Sequence, residues 1–247
     1  LGPLRTVNGI ASDEYILYNE QDLKISNDFA CFADELPVPS RKTPTPSGTE
    51  KSLVQPLVKV YFECDYLMYQ EKGSNSTNVL NFVTGAFNAV ATIYNNESIL
   101  TQISEVFVWT TQDPYRTSSS VDALTDFRNR LNTNGFNGDL AHLLSRTNNN
   151  LGGVAYRDVL CVRNYAYAYS NISSTYQNFP TYSWTVNVIT HEMGHSLGSP
   201  HTQSCEWAGG PIYNCFCPEG SCSPGPEPPA TGGTIMSYCH LNGNTSN

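Results

Sequence analysis

Three of the chain's five histidines fall within eleven residues, in the run His191-Glu192-Met193-Gly194-His195-Ser196-Leu197-Gly198-Ser199-Pro200-His201. No other feature restricts the possible folds so sharply. On an α-helix His191 and His195 are four residues apart, so both imidazoles project from one face. That spacing lets two ring nitrogens reach a single metal ion at about 2.0–2.1 Å. Glu192 is rotated off the metal axis and can reach a water on the ion rather than the ion itself. Gly198 can take a positive φ and end the helix. Pro200 keeps the helix from resuming, and His201 can swing back as third ligand. Three neutral nitrogens leave a fourth position open, the arrangement of a catalytic rather than a structural Zn2+. At this histidine content a chance H-E-x-x-H has a probability of order 1%, and requiring Gly198 and His201 as well lowers it to roughly one in 10⁵.

Composition narrows the setting. The chain has 247 residues and a net charge of −9, long for one average domain and short for two, so one domain with a sizeable insertion or extension fits best. The acidic balance excludes a nucleic-acid partner, which needs a concentrated positive field. No apolar run approaches the ~18 residues needed to span a bilayer. Eight cysteines, four of them between Cys205 and Cys222, imply disulfides and an oxidising compartment, hence a secreted, extracellular protein. The alternative for that cluster is a structural four-cysteine zinc site, but its spacing matches no paired C-x-x-C pattern. Sequons at Asn75, Asn96, Asn171 and Asn244 are compatible with secretion.

Along the chain, residues 1–36 read as a small N-terminal segment with a strand at Tyr15-Ile16-Leu17-Tyr18. Residues 37–56, rich in Pro, Ser and Thr, read as a stiff exposed linker. From 57 to 247 the pattern is that of an α/β domain. Leu57 to Phe62 is a buried strand, and Val79, Phe82, Val83, Ala86, Phe87, Val90, Ile93 and Tyr94 set a helix over 76–95. Ile103 to Thr110 is a second strand. Val121, Leu124, Phe127 and Leu131 set a second helix, with Ser118, Ser119 and Ser120 as cap candidates. Gly153 to Tyr169 holds one or two more strands, and 184–197 is the helix carrying the histidine motif. The last fifty or so residues are Cys-, Pro- and Gly-rich, so disulfides there substitute for a core.

The elongated histidine motif is the zinc signature of the metzincin metalloproteases, which the chain resembles over about 57–240. Gly233-Thr234-Ile235-Met236-Ser237-Tyr238 is similar to that family's Met-turn. Among metzincins the chain most resembles the adamalysin/reprolysin group. Val60 to Tyr69 is similar to its first strand and turn, and Phe107-Val108-Trp109-Thr110 to its second strand. Ala141-His142-Leu143-Leu144-Ser145, then Gly153-Val154-Ala155-Tyr156 and Cys161, are similar to its edge strand and the strand after it. The resemblance departs at Thr202, where adamalysins usually have Asp, and at Thr234 and Tyr238, where they usually have Cys and Pro. The Met-Ser-Tyr form is closer to serralysins and astacins.

The resemblance implies a metzincin catalytic domain: a twisted mixed sheet with helices, an active-site helix, and an irregular disulfide-rich C-terminal subdomain. It also implies an endopeptidase acting on proteins or peptides, expected as a monomer, with Zn2+ on His191, His195 and His201. Glu192 would be the general base toward a zinc-activated water, and backbone near 140–145 would hold an extended substrate. Tyr238 is expected near the zinc as a hydroxyl. His142 is expected as an edge-strand side chain, His240 as a surface residue and Met236 as packing. Lys59 and Asp139 are expected to form an ion pair in place of a calcium that reprolysin-type domains often bind. The family's bridges imply Cys161–Cys239. Cys215 and Cys217 are too close to join each other, so each would pair with Cys205 or Cys222. Cys31, ahead of the linker, is either an autoinhibitory zinc-latency cysteine of a zymogen or bridged to Cys64. A zinc-binding protein that recognises partners without cutting them is the competing class, and the intact Glu192 argues against it.

Overall fold

Leu57–Cys64 (β3) alternates early and then runs buried on both faces, as a central strand must. In this computed structural model the described residues are 2–5, 11–16, 36, 57–230 and 232–242. The strand lies inside a five-stranded sheet of order β4-β3-β5-β7-β6, where β4 is Leu100–Val108, β5 Leu140–Ser145, β6 Gly153–Ala155 and β7 Tyr167–Asn171. The contacts β3–β4, β3–β5 and β5–β7 are parallel, and β6 runs antiparallel to β7. The sheet is therefore mixed, as expected, with β6 as its antiparallel edge.

One expectation is overturned by that order. Residues 140–145 are not an edge: β5 pairs with β3 on one side and β7 on the other, and all six of its residues are buried. Its backbone is already spent on the ladder and has none to offer an extended ligand. His142 is accordingly a core residue rather than an edge side chain, stacked on Phe62 with Nε2 2.8 Å from Ser170 Oγ. Burial pushes its pKa down to about 3.

The helices follow from their apolar periodicity and caps. Tyr66–Glu71 (α1) starts at Asp65, whose carboxylate accepts from the Met68 N–H. Ser76–Asn96 (α2) is capped by Asn75 and buries Val79, Val83, Ala86, Phe87, Val90 and Tyr94. Ser120–Asn134 (α3) is capped by Ser119, the middle one of the three candidate serines. Trp184–Ser196 (α4) buries every residue from Thr185 onward, so it is a core helix and its histidines are out of bulk water. No helix among the described residues is long and apolar enough to cross a membrane.

The chain divides into two compact units. The larger comprises Phe29–Tyr176 and Trp184–Pro200, and the smaller Leu1–Asp28, Gln177–Ser183 and His201–Asn247. The larger holds the sheet and one continuous apolar core, from Val58 through Phe62, Leu124 and Leu144 to Met193. A buried carboxylate, Glu63, sits within this unit and is fully satisfied. It accepts from Arg130 at 2.9 Å, Trp109 Nε1 at 2.6 Å, Tyr61 OH at 2.9 Å and Tyr115 OH. In the smaller unit, Gly2–Arg5 (β1) pairs antiparallel with Ala11–Ile16 (β2). The expected strand at 15–18 is thus shifted toward the N-terminus, and Leu17 and Tyr18 lie outside the described residues.

The Lys59–Asp139 ion pair does not form among the described residues. The Asp139 carboxylate instead accepts the backbone N–H of Lys59 at 2.8 Å, and the Asp139 N–H donates to the Lys59 carbonyl at 2.7 Å. Main-chain pairing at the start of β3 supplies the donor that the ammonium was expected to supply.

The disulfides are also corrected. Cys205 is bridged to Cys222, with Cα atoms 5.8 Å apart, and Cys215 to Cys239, at 4.7 Å. Cys161 therefore does not pair with Cys239: it is an exposed thiol in the larger unit, while Cys239 is buried with Cys215 and Tyr213 in the smaller. Cys217 is likewise an exposed thiol and Cys64 a buried one. Burial, with Asp65 and Glu63 nearby, raises the Cys64 pKa well above its ordinary value. Cys31, and with it both readings offered for that residue, lies outside the described residues. Of the sequons, Asn75 and Asn96 are exposed, whereas Asn171 is buried in β7 and its amide donates to the Leu151 carbonyl.

Candidate metal centre

Helix α4 is held at its middle and at its C-terminal end. Tyr94 OH donates to the Thr190 carbonyl at 2.7 Å, one residue before the first histidine. At the C-terminal end the carbonyls that a helix leaves open are taken up by the chain itself. Asp158 N–H donates to His195 O at 3.0 Å, and Val159 and Leu160 N–H to Ser196 O at 3.0 and 3.3 Å. Gly198, at φ 110°, turns the chain so that its N–H returns to His195 O at 2.8 Å. Only glycine adopts that conformation without strain, which is the helix stop read from the sequence.

His191 and His195 are 1% and 0% exposed, and their Nε2 atoms are 3.1 Å apart. Two nitrogens bound at about 2.0–2.1 Å to one tetrahedral ion stand roughly 3.3–3.4 Å apart, so this pair is nearly at ligand separation. His201 is also fully buried, and one ligand atom from each of the three histidines falls within a 4.8 Å cluster. The donor set fits a metal in a second respect. His195 Nδ1 lies 2.8 Å from the Ser199 carbonyl, and His201 Nδ1 lies 3.0–3.1 Å from the Glu219 carboxylate. Both partners only accept hydrogen bonds, so each Nδ1 carries the proton and each Nε2 keeps its lone pair.

Glu192 is fully buried beside the first histidine. Its side chain occupies the space above Gly153 in β6: a Cβ built on Gly153 would lie 2.2 Å from Oε1 and 2.6 Å from Cδ and Cγ. The glycine is needed there because of this close approach.

The segment after His201 is tied by its own polar bonds. Thr202 N–H donates to the Met236 carbonyl at 3.0 Å, which fastens the chain after the third histidine to the turn at 234–237. That turn closes through Ser237 N–H to Thr234 O at 3.0 Å. Trp207 Nε1 donates to His201 O at 2.8 Å. Tyr238 is 5% exposed with its ring centroid 4.6 Å from that of His201. His240 is half-buried rather than a surface residue, and burial lowers its pKa to about 4.

The three histidines are thus brought together as their spacing implied. Glu219 and Gly153 were not singled out from the sequence. Glu219 sits 18 residues past His201 in the irregular Cys/Pro/Gly stretch, where no periodicity marks a partner. Gly153 is recognisable only once the Glu192 side chain is seen over it.

Comparison with known proteins places this geometry. The profile of Metallo-peptidase family M12 matches residues 55–247. The snake venom metalloproteinase trimerelysin-2 of Protobothrops flavoviridis is 24% identical over 153 residues, 60% of this chain and 74% of that protein. Among solved structures, a chain described under "Structure of a chaperone-substrate complex" aligns with TM-score 0.45 and 14% identity, over 61% of this chain. The present chain spans 24% of that one. The chain belongs to metallo-peptidase family M12: it is an adamalysin/reprolysin-like metzincin, a zinc metalloendopeptidase.

Proposed function

We propose that the protein is a secreted endopeptidase whose catalytic ion is Zn2+ on His191, His195 and His201, with Glu192 as general base. The observation that carries this reading is the buried three-histidine cluster with a buried carboxyl on the same helix turn. When bound there, zinc supplies Lewis-acid chemistry, lowering the pKa of water to about 7 and polarising a carbonyl. Glu192 takes one proton from the attacking water as the water's oxygen adds to the peptide carbonyl carbon. The same carboxyl returns that proton to the amide nitrogen as the C–N bond breaks, so the base is regenerated. Tyr238, whose ring packs against His201, would donate its hydroxyl to the developing oxyanion.

Substrate binding follows the edge of the sheet. Among the described residues β6 pairs only with β7, and its other edge is the one we assign to an extended peptide. Residues 153–155 thereby take the role first expected of 140–145. Residues 57–247 would be the catalytic domain, 37–56 a linker open to cleavage, and 1–36 a segment ahead of it with Cys31 as its latency thiol. The bridges Cys205–Cys222 and Cys215–Cys239 suit an oxidising, extracellular setting.

Mass-spectrometric mapping of cuts in a peptide library, with and without a zinc chelator, tests this reading. Internal cuts that vanish on chelation and return with added Zn2+ are expected. Cuts that persist in the chelator would overturn it.

A further inference from the structure

We infer that Glu219 is the positioning residue for His201: its carboxylate fixes the tautomer and aim of that imidazole and strengthens it as a metal ligand. The inference rests on the metal reading above. The carboxylate lies against His201 Nδ1 with both oxygens, at 3.0 and 3.1 Å. The His195 Nδ1 faces the Ser199 carbonyl, a neutral acceptor, at 2.8 Å. A carboxylate on the far ring nitrogen makes an imidazole a better donor at the near one, so Glu219 polarises His201 toward a metal.

Glu219 is itself aimed by a small built framework. Gln203 Nε2 donates to Glu219 Oε1 at 2.8 Å, which leaves the carboxylate bridging Gln203 and His201. On the main chain, Glu219 N–H donates to Gln203 O at 3.1 Å and Cys205 N–H to Glu219 O at 2.9 Å, a one-residue parallel bridge. The disulfide Cys205–Cys222 closes over the same bridge. Gly220, at φ 113°, passes so close that a Cβ would lie 3.0–3.1 Å from the Cys205 side chain. Two backbone hydrogen bonds thus fix the Glu219 main chain beside a disulfide, and the Gln203 amide holds its carboxylate, which is 25% exposed. The expected Asp after the third histidine is Thr202 here, and the acid is supplied from 18 residues downstream instead.

The test compares the wild type with E219Q and E219A in the full chain. Zinc affinity is measured by competition with a chelator, apo-protein melting by calorimetry, and the histidine Nδ1–H signals by NMR of the loaded protein. Glu219→Gln keeps an acceptor without the charge and is expected to weaken zinc by about tenfold, and Glu219→Ala by about 10–100-fold. Apo melting should be unchanged in E219Q, and the His201 Nδ1–H resonance should shift. Zinc affinity within twofold of wild type in E219Q, with an unmoved resonance, would overturn the inference. A large drop in apo stability at equal affinity would do the same by assigning Glu219 a structural role. If E219A fails to fold, E219Q alone decides. A wild type that binds no zinc would instead sink the underlying metal reading.

Discussion

His195 and His201 are held by different physics. In the larger unit His195 rides on a helix whose residues from Thr185 onward are all buried, packed into a core that runs from Val58 to Met193. In the smaller unit the buried apolar cluster is only Tyr213, Cys215 and Cys239. There His201 is held by Glu219, Trp207 and the turn at Met236, behind two disulfides. Apolar burial is cooperative and tolerant of small polar changes at its surface. A polar clamp depends on each partner, and removing one leaves a buried donor or acceptor unmatched. The helix side should therefore yield to changes in volume, and the loop side to changes in single polar atoms.

The largest effect is expected at Glu192. Glu192→Ala removes the base and no ligand, so kcat should fall by about 10²–10⁴-fold while the zinc content is kept. Steady-state cleavage alongside metal analysis checks both halves, and more than a few per cent residual activity would contradict the role. Gly153→Ala tests volume on the helix side. The new methyl group meets the Glu192 carboxyl at under-van-der-Waals distance, and a carboxyl displaced by about 1 Å should cost up to about 10²-fold in kcat. Zinc content should hardly move; a kcat equal to wild type would show that the site accommodates the side chain.

Tyr238→Phe probes the loop side with one atom. It should lower kcat by about tenfold, short of the 10²–10³-fold of a dedicated oxyanion donor, and move KM less. The ring, which packs against His201, is retained. An unaltered kcat would reduce Tyr238 to packing.

A further effect, on stability and not on catalysis, is expected against pH. His142 in the core has its pKa pushed down to about 3, whereas in the unfolded chain it titrates near its ordinary value of about 6.5. The unfolded state therefore binds the extra proton, and stability present above about pH 6.5 is lost as the pH falls toward 3. The slope is at most about 1.4 kcal/mol per pH unit for this one group. Urea unfolding of wild type and His142→Gln at pH 7.5 and 5 should show a smaller drop for the variant. Equal drops would remove His142 as the acid-sensitive group.

What could be read in advance divides along the same line. The helices at 76–95 and 184–197 and the strand at 57 were legible because burial leaves a periodic trace in sequence, and Gly198 announced its turn. The metal ligands were legible because helical spacing fixes His191 against His195. Strand order was not: β5 and β6 are both short and apolar, and which is the edge depends on long-range pairing that no local pattern carries. The disulfides and Glu219 were invisible for a related reason. In a segment without periodicity, Cys215 and Cys217 differ in nothing local that tells which one reaches Cys239.

The claim on which everything else depends is that one zinc on His191, His195 and His201 is required for cleavage. Adding Zn2+ back to the metal-free protein while following hydrolysis of a peptide tests it directly. Activity should start at zero, rise linearly, and break at one zinc per chain. Hydrolysis by the metal-free protein, or full hydrolysis by a His201→Ala variant, would contradict it.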